Sequence, residues 1–368
     1  MSIKSVFSDK NNVEEAVRDI KHQLNNINPR VVVFFSSSCF DKDKVSRLMK
    51  ENFKSSDVFG CTTSGEIVSG KMLKNSIVAM ALSSDIIEDA RVEVVENLKD
   101  RIGVKKAFAE FNNYYGESVS NSGYSQYVGI VLIDGLSGTE EMIMDTVGDL
   151  TTHLFIGGSA GDDLKFNKTY VFANGKVYSN AAVLVLLKSK APFDIIKTQS
   201  FKVLDKKLVA TKVNEKNREV IEFNNIPAVK AYAQAIGVPE DKLADHFMSH
   251  PVGLVIDDEV FVRSPQQIKG NSIIFYCNIL EGMEVSLLES TNIVNDTESA
   301  LNAKIKELGG LSGIINFNCI LRTLELEQKN QTKEYGKIFS NIPTIGFSTY
   351  GEEYLGHINQ TSTMLVFK

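Results

Sequence analysis

A glycine turn closed by an acidic residue occurs three times in this chain: Gly60-Cys-Thr-Thr-Ser-Gly-Glu66, Gly157-Gly-Ser-Ala-Gly-Asp162 and Gly346-Phe-Ser-Thr-Tyr-Gly-Glu352. Each follows a stretch patterned as helix, strand, helix, strand. Two glycines four or five residues apart allow positive φ angles and close backbone approach, and the Ser and Thr between them can bond local amides or an incoming ligand. The turn is therefore either a hinge of the fold or a site. The recurrence predicts a repeated strand-helix-strand-turn-strand unit over Arg30–Leu82, Tyr127–Leu187 and Gly313–Phe367.

Hydrophobic periodicity supports that reading. Val13, Ala16, Val17, Ile20 and Leu24 fall at helical spacing, Val31 to Phe35 reads as a buried strand, and a second helix covers Asp41 to Phe53. The next copy offers a helix from Val104 to Tyr114, a strand Tyr127 to Ile133 and a helix Glu140 to Leu150. The third has a helix Ala300 to Leu308 stopped by Gly309-Gly310, a strand Gly313 to Phe317, and a helix through Thr323 to Ile338. Between the second and third copies, Phe193 to Phe223 alternates apolar and polar residues as strands do, and Pro227 to Ile236 reads as a helix closed by Gly237. The fold class is α/β, with two domains, 1–222 and 223–368, each a mixed sheet flanked by helices and built from the repeated unit, facing one another across a ligand cleft. At 368 residues the chain exceeds what one core usually serves.

Forty basic residues against forty-six acidic give a net charge of −6 without a basic block, which argues against nucleic acid and anionic membrane as partners. The N-terminus lacks an apolar signal core, and the longest strongly apolar run, Ala181 to Leu187, is too short to span a bilayer. These features predict a cytoplasmic protein without membrane insertion. Cys39, Cys61, Cys277 and Cys319 lie far apart and read as free thiols.

The turns, taken with Pro251-Val-Gly253, Val262-Arg263, Glu281-Gly282, Asn318-Cys-Ile-Leu-Arg322 and Asn359-Gln-Thr361 in that order, resemble the FIST family over nearly the whole chain. The resemblance implies a bacterial sensory protein whose tandem domains bind a small ligand, amino-acid-like for some members, while some relatives are haem-binding nitric oxide sensors. It does not imply catalysis. No output domain is recognisable in the sequence, so the signal would pass to a separate partner such as a kinase or cyclase.

Several residues are candidates for the ligand site. None of the turns continues into the Gly-Lys-Ser/Thr ending of a P-loop. Thr62, Thr63, Ser159 and Thr349 are candidate donors, with Tyr350 and Gly351 in the same turn. Glu66, Asp162, Asp163 and Glu352 can accept from a ligand ammonium or act as capping groups. Arg322, with Cys319 at the end of the preceding strand, can hold a ligand carboxylate with help from Arg263; the alternative is a structural ion pair to a turn carboxylate. Cys61 and Cys319 are the candidate nucleophiles should the protein be an enzyme. No cofactor is expected. If haem binds, His246 and His250, spaced i, i+4, are the preferred ligands and His153 and His357 the further ones; His22 lies on a polar helix face. A third ligand to make zinc of the His pair is missing from the motif.

Overall fold

The computed structural model describes residues 2–116, 126–257 and 259–368. The first copy runs β1 (Ile3–Ser8), α1 (Val13–Gln23), β2 (Pro29–Ser37), α2 (Lys42–Asn52), β3 (Asp57–Thr63), β4 (Glu66–Val68), β5 (Lys71–Leu73) and β6 (Ile77–Ser83). β2 and β3 are parallel across α2, β6 returns antiparallel beside β2, and β1 lines the edge against β6. The same order follows in β7 (Ile87–Glu96), α3 (Ile102–Tyr115), β8 (Tyr127–Ile133), α4 (Glu140–Leu150), β9 (Phe155–Ser159), β10 (Val171–Ala173), β11 (Lys176–Tyr178) and β12 (Ala181–Ser189). There β8 and β9 are the parallel pair, β12 is antiparallel to β8, and β7 lines the edge.

The third copy starts at β13 (Phe193–Gln199) and is then interrupted. The inserted segment contains β14 (Phe201–Asn214), β15 (Glu219–Phe223), β16 (Ile226–Pro227), α5 (Ala228–Ile236), a 3₁₀ helix Glu240–His246, β17 (Val252–Ile256), β18 (Glu259–Arg263), β19 (Pro265–Lys269), β20 (Ser272–Phe275) and β21 (Glu284–Ser290). The copy resumes with α6 (Ile293–Leu308), β22 (Gly313–Cys319), α7 (Ile320–Gln328), α8 (Thr332–Lys337), β23 (Thr344–Thr349), β24 (Glu352–Tyr354), β25 (His357–Ile358) and β26 (Thr361–Phe367). β22 and β23 are parallel and β26 is antiparallel to β22. The single helix expected over Thr323–Ile338 is two, because Asn330 adopts a left-handed φ of 55°, which an α-helix cannot propagate through.

The chain forms two compact units, one of Met1–Lys197, Glu298–His357 and Ser362–Lys368, the other of Thr198–Thr297 with Ile358–Thr361. The expected division between 222 and 223 falls inside β15, within the second unit. In the first unit each short hairpin leaves its own sheet for a neighbouring one: β4 adds to β23, β10 to β3 and β24 to β9. Three six-stranded sheets are thereby joined in a closed ring, the first copy to the third, the second to the first and the third to the second.

Burial on both faces accounts for the uninterrupted apolar runs. In β2, Val31, Val33 and Phe35 enter a core shared with Val128, Ile130, Leu132, Ile315, Phe317 and Phe347 from the other two sheets. The alternate residues Val32 and Phe34 face α1 and α2, where Ala16, Val17, Ile20, Val45 and Met49 meet them. The second unit has its own core, with Tyr232 and Val229 of α5 packed among Phe223, Phe275 and Leu287. No helix among the described residues is long and apolar enough to cross a membrane.

Candidate functional site

All three glycine turns meet in the first unit. The parallel registers Phe34↔Gly60, Val131↔Gly157 and Asn316↔Gly346 align them residue for residue. Under that alignment one backbone hydrogen bond recurs around a ring: Ser64 N donates to Ser348 O at 3.3 Å, Gly161 N to Thr62 O at 2.9 Å and Tyr350 N to Ser159 O at 3.1 Å. A second recurs twice, with Ser348 N donating to Gly65 O and Ser159 N to Gly351 O. In the second turn the chain makes an excursion over residues 162–169, and Tyr170 O takes the corresponding place opposite Thr62 N.

The leading glycine of each turn is required by close approach. A Cβ on Gly60 or Gly157 would stand 1.7 Å from the carbonyl oxygen of Phe34 or Val131, and one on Gly346 2.2 Å from that of Asn316. None of these three has a positive φ; Gly65, at 122°, does. The turns are thus first of all devices for drawing a strand tightly against its parallel neighbour.

Their polar side chains serve different ends. Glu66 is fully buried; its carboxyl accepts from Thr63 Oγ1, from Ser76 Oγ at 2.7 Å and from Ser76 N at 3.1 Å. Burial raises its pKa to about 7 despite those donors, which pull the other way. Asp162 accepts from the amides of Phe166, Asn167 and Lys168 and from the Tyr350 hydroxyl. Burial works against its charge, but these donors outweigh it and its pKa is lowered. Asp163 Oδ2 accepts from Ser37 Oγ and from Ser38 N, both at 3.0 Å. Thr62 Oγ1 accepts from Tyr170 N, and Thr349 Oγ1 donates to the carbonyls of Ser159 and Gly351. Tyr350 stacks on Phe166 with ring centroids 5.2 Å apart.

Glu352 is buried in the third turn, and its neighbour Glu353 faces His357 Nδ1 at 3.1 Å. Burial alone would lower the His357 pKa, but Glu353, with Glu140 and Glu141, raises it to about 9, while burial raises that of Glu353 itself; the two groups share one buried hydrogen bond behind the turn. Ser159 Oγ reaches the carboxylate of Glu353 at 3.3 Å.

Arg322 is 1% exposed and Nε donates to Asn318 Oδ1 at 3.0 Å. The same oxygen accepts from Tyr335, while Asn318 Nδ2 donates to Thr323, whose hydroxyl lies 2.7 Å from that of Ser348. Arg322 thus belongs to a buried polar network that ends on the first and third turns. Cys319, also buried, closes β22. Arg263 lies in the second unit, where Nε donates to Asn278 O. His246 and His250 lie there too, their rings 5.7 Å apart, with His250 Nδ1 against Ser249 Oγ; no group of three or more potential metal ligands exists among the described residues.

Three cavities complete the picture, one at each junction between a hairpin and the helix that joins the parallel strands of the sheet it enters. Between α2 and β10–β11 lies an open groove of 660 Å³ lined by Asp43, Lys44, Arg47, Lys176 and Tyr178. Between α4 and β24–β25 lies one of 580 Å³, with Met144, Asp145, His153, Phe155 and Leu355. The third, of 210 Å³, lies between α7 and β4–β5 and is lined by Gly65, Met72, Leu73, Lys74, Thr323, Glu327, Thr332 and Ser348. It abuts the Arg322 network through Thr323 and Ser348. Lys74 and Glu327 pair across it at 2.7 Å.

The FIST N domain matches residues 30–226 and the FIST C domain residues 228–354. The chain belongs to the FIST family. FIST domains are associated with signal-transduction sensing. A similar chain is an uncharacterized protein of Methanocaldococcus jannaschii, 22% identical over 318 residues, an alignment covering 81% of this chain and 61% of that relative. The border between the two FIST domains falls at β16 and α5, so the family division and the compact units do not coincide. Lys74, Glu327 and Glu353 carry no motif that would single them out; the charged residues flanking β5 and α7 become informative once the hairpin is known to cross to the third sheet.

Proposed function

We propose that this FIST protein is a cytoplasmic, non-catalytic sensor that binds a small zwitterion of the amino-acid class in the 210 Å³ cavity and signals to a separate protein such as a kinase or cyclase. The carrying observation is the lining: one ammonium, one carboxylate and the hydroxyls of Thr323, Thr332 and Ser348 around the apolar Met72 and Leu73. A ligand carboxylate would take Lys74 and a ligand ammonium Glu327, with the turn backbone at Gly65 beside them. Arg322 then acts as a positioning residue, holding Asn318 and through it Thr323. The volume equals that of about seven liquid waters, room for one free amino acid such as glycine, alanine or serine. Burial pushes the Cys61 thiol up, against the thiolate a nucleophile needs, and supports sensing over Cys-dependent catalysis.

Calorimetric titration of the whole chain with glycine, alanine, serine and N-acetylglycine tests this. The three zwitterions should bind, and N-acetylglycine, which lacks the ammonium that Glu327 would take, should not. Lys74→Met should weaken binding by up to about fivefold, the worth of one largely exposed ion pair. Binding of N-acetylglycine as tight as that of glycine would refute the site.

One observation favours haem as a second reading. His153 is buried with its ring 5.4 Å from Tyr127 and lines the 580 Å³ cavity beside Met144, Val147, Phe155 and Leu355. One imidazole beside these apolar side chains is what a single axial ligand needs, while Asp145, Asp149, Thr151 and Thr152 make the rest of the lining polar and Arg101 already pairs with Asp149 at 2.8 Å. Haem added to the purified protein should then give a Soret band that His153→Ala abolishes; no stoichiometric complex, or one indifferent to that substitution, removes this reading.

A further inference from the structure

The hairpin that walls the 210 Å³ cavity has one strand inside the third sheet and one, paired to it through Ile67↔Met72, at the sheet edge. β4 is buried and pairs with β23 through Val68↔Ile345, Ile67↔Gly346 and Glu66↔Phe347. β5 lies outside it, with Lys71 exposed and Met72 and Leu73 half-buried. Two further contacts steady the outer strand: Lys71 Nζ stands 4.4 Å over the Phe7 ring, and Gly336 of α8 presses so close that a Cβ there would lie 2.9 Å from the Lys71 backbone. The end of the hairpin is tied to α7 by the Lys74–Glu327 pair. Lys74 is 63% and Glu327 33% exposed, so the tie is a weak one, readily exchanged for stronger partners.

We propose that the Lys74–Glu327 pair is a ligand-operated latch: a small zwitterion inserted between the two charges spreads β5 from α7, and the loosened outer strand is the surface that reports occupancy. This rests on the ligand site proposed above. The geometry suits the task, because the inner strand keeps the sheet intact while the outer one moves. It also places the moving part at a junction between two copies of the repeat, where a displacement in the first is felt by α7 and α8 of the third.

Hydrogen exchange read by mass spectrometry over residues 69–74 and 320–328, with glycine as the probe and calorimetry on the same sample, tests the latch. Saturating glycine should speed exchange over 69–74 by roughly two- to fivefold, the effect of releasing an exposed ion pair. Lys74→Met should show the faster rate without glycine and no further response. The exchanged pair Lys74→Glu/Glu327→Lys should restore the slow rate. Binding of glycine with unchanged or slower exchange overturns the latch and leaves the site standing. Absence of glycine binding overturns the site, and a Lys74→Met protein exchanging like its parent overturns the latch whatever the ligand.

Discussion

Glu66 and Asp162 both follow the glycine turn of their copy, yet the protein treats them oppositely. Asp162 is ringed by three amides and a phenol that favour its charge, and it organises the excursion over residues 162–169. Glu66 sits at the root of a hairpin inserted into a foreign sheet, with three donors but no exposure to solvent, and burial keeps it protonated to about pH 7. The same local motif thus yields a charged loop organiser in one copy and a buried titrating group in another. What differs is the number of amides: the excursion supplies three to Asp162, and the stretch after the hairpin supplies Glu66 with one, from Ser76.

The sharpest test of the shared part of the turns is steric. Gly60→Ala and Gly157→Ala each drive a methyl into a backbone carbonyl that cannot yield, and should cost more than about 4 kcal/mol, read as loss of soluble protein or of a cooperative melt. If either variant melts like the parent, close approach is not what these glycines provide.

Titration separates the two acids. Native Glu66 keeps its proton to about pH 7 whereas the unfolded chain releases it near 4.5, so stability falls as pH rises through that window, by about 3 kcal/mol in all. Glu66→Gln should remove that loss. Asp162 has the opposite sign: its lowered pKa contributes stability above 3.8 that disappears as pH falls, and Asp162→Asn should remove the acid-side loss instead. His357 adds a second alkaline decline, its contribution being complete below 6.5 and gone above about 9. Thermal melts of the parent and the two variants from pH 3 to 9, with identical profiles for Glu66→Gln and parent as the contrary outcome, decide it.

Smaller effects follow for the link between the second and third turns. Tyr350→Phe deletes a hydroxyl that donates to Asp162 and accepts from the amides of Asp162 and Leu164, and should cost about 1–3 kcal/mol by chemical denaturation. Lys74→Met should cost less than about 1 kcal/mol and weaken ligand binding by no more than about fivefold, since the lysine is largely exposed. A large loss of stability there would mean that the pair is structural.

Much of the first unit was legible in the sequence because its signals are local. Strand Tyr127–Ile133 and helix Glu140–Leu150 read at their observed limits, and the glycine spacing pointed to all three turns. Non-local pairing was not legible. β4 and β24 are three residues long, and nothing in Glu66–Val68 announces a partner as distant as Ile345–Phe347. The extent of the second unit, Thr198–Thr297, is hidden for a similar reason: the alternating pattern of Phe193 to Phe223 marks a change of character, but nothing in the sequence shows that the chain returns to the third sheet at α6. Of the two roles the sequence offers the leading glycines, positive φ and close backbone approach, the structure shows the second; the sequence does not decide between them because the carbonyls that forbid a side chain come from a parallel strand more than twenty residues earlier in the chain. Arg322 was singled out as a ligand group from its place after a strand; burial assigns it to the network behind the cavity.

A crystal structure of the protein grown with alanine tests the central claim most directly. The account predicts alanine density in the cavity between α7 and β4–β5, carboxylate toward Lys74, ammonium toward Glu327, and the two side chains farther apart than 2.7 Å. Alanine found instead in the α4 cavity beside His153 or in the groove beside Arg47, or an intact Lys74–Glu327 pair with the cavity empty, would contradict it.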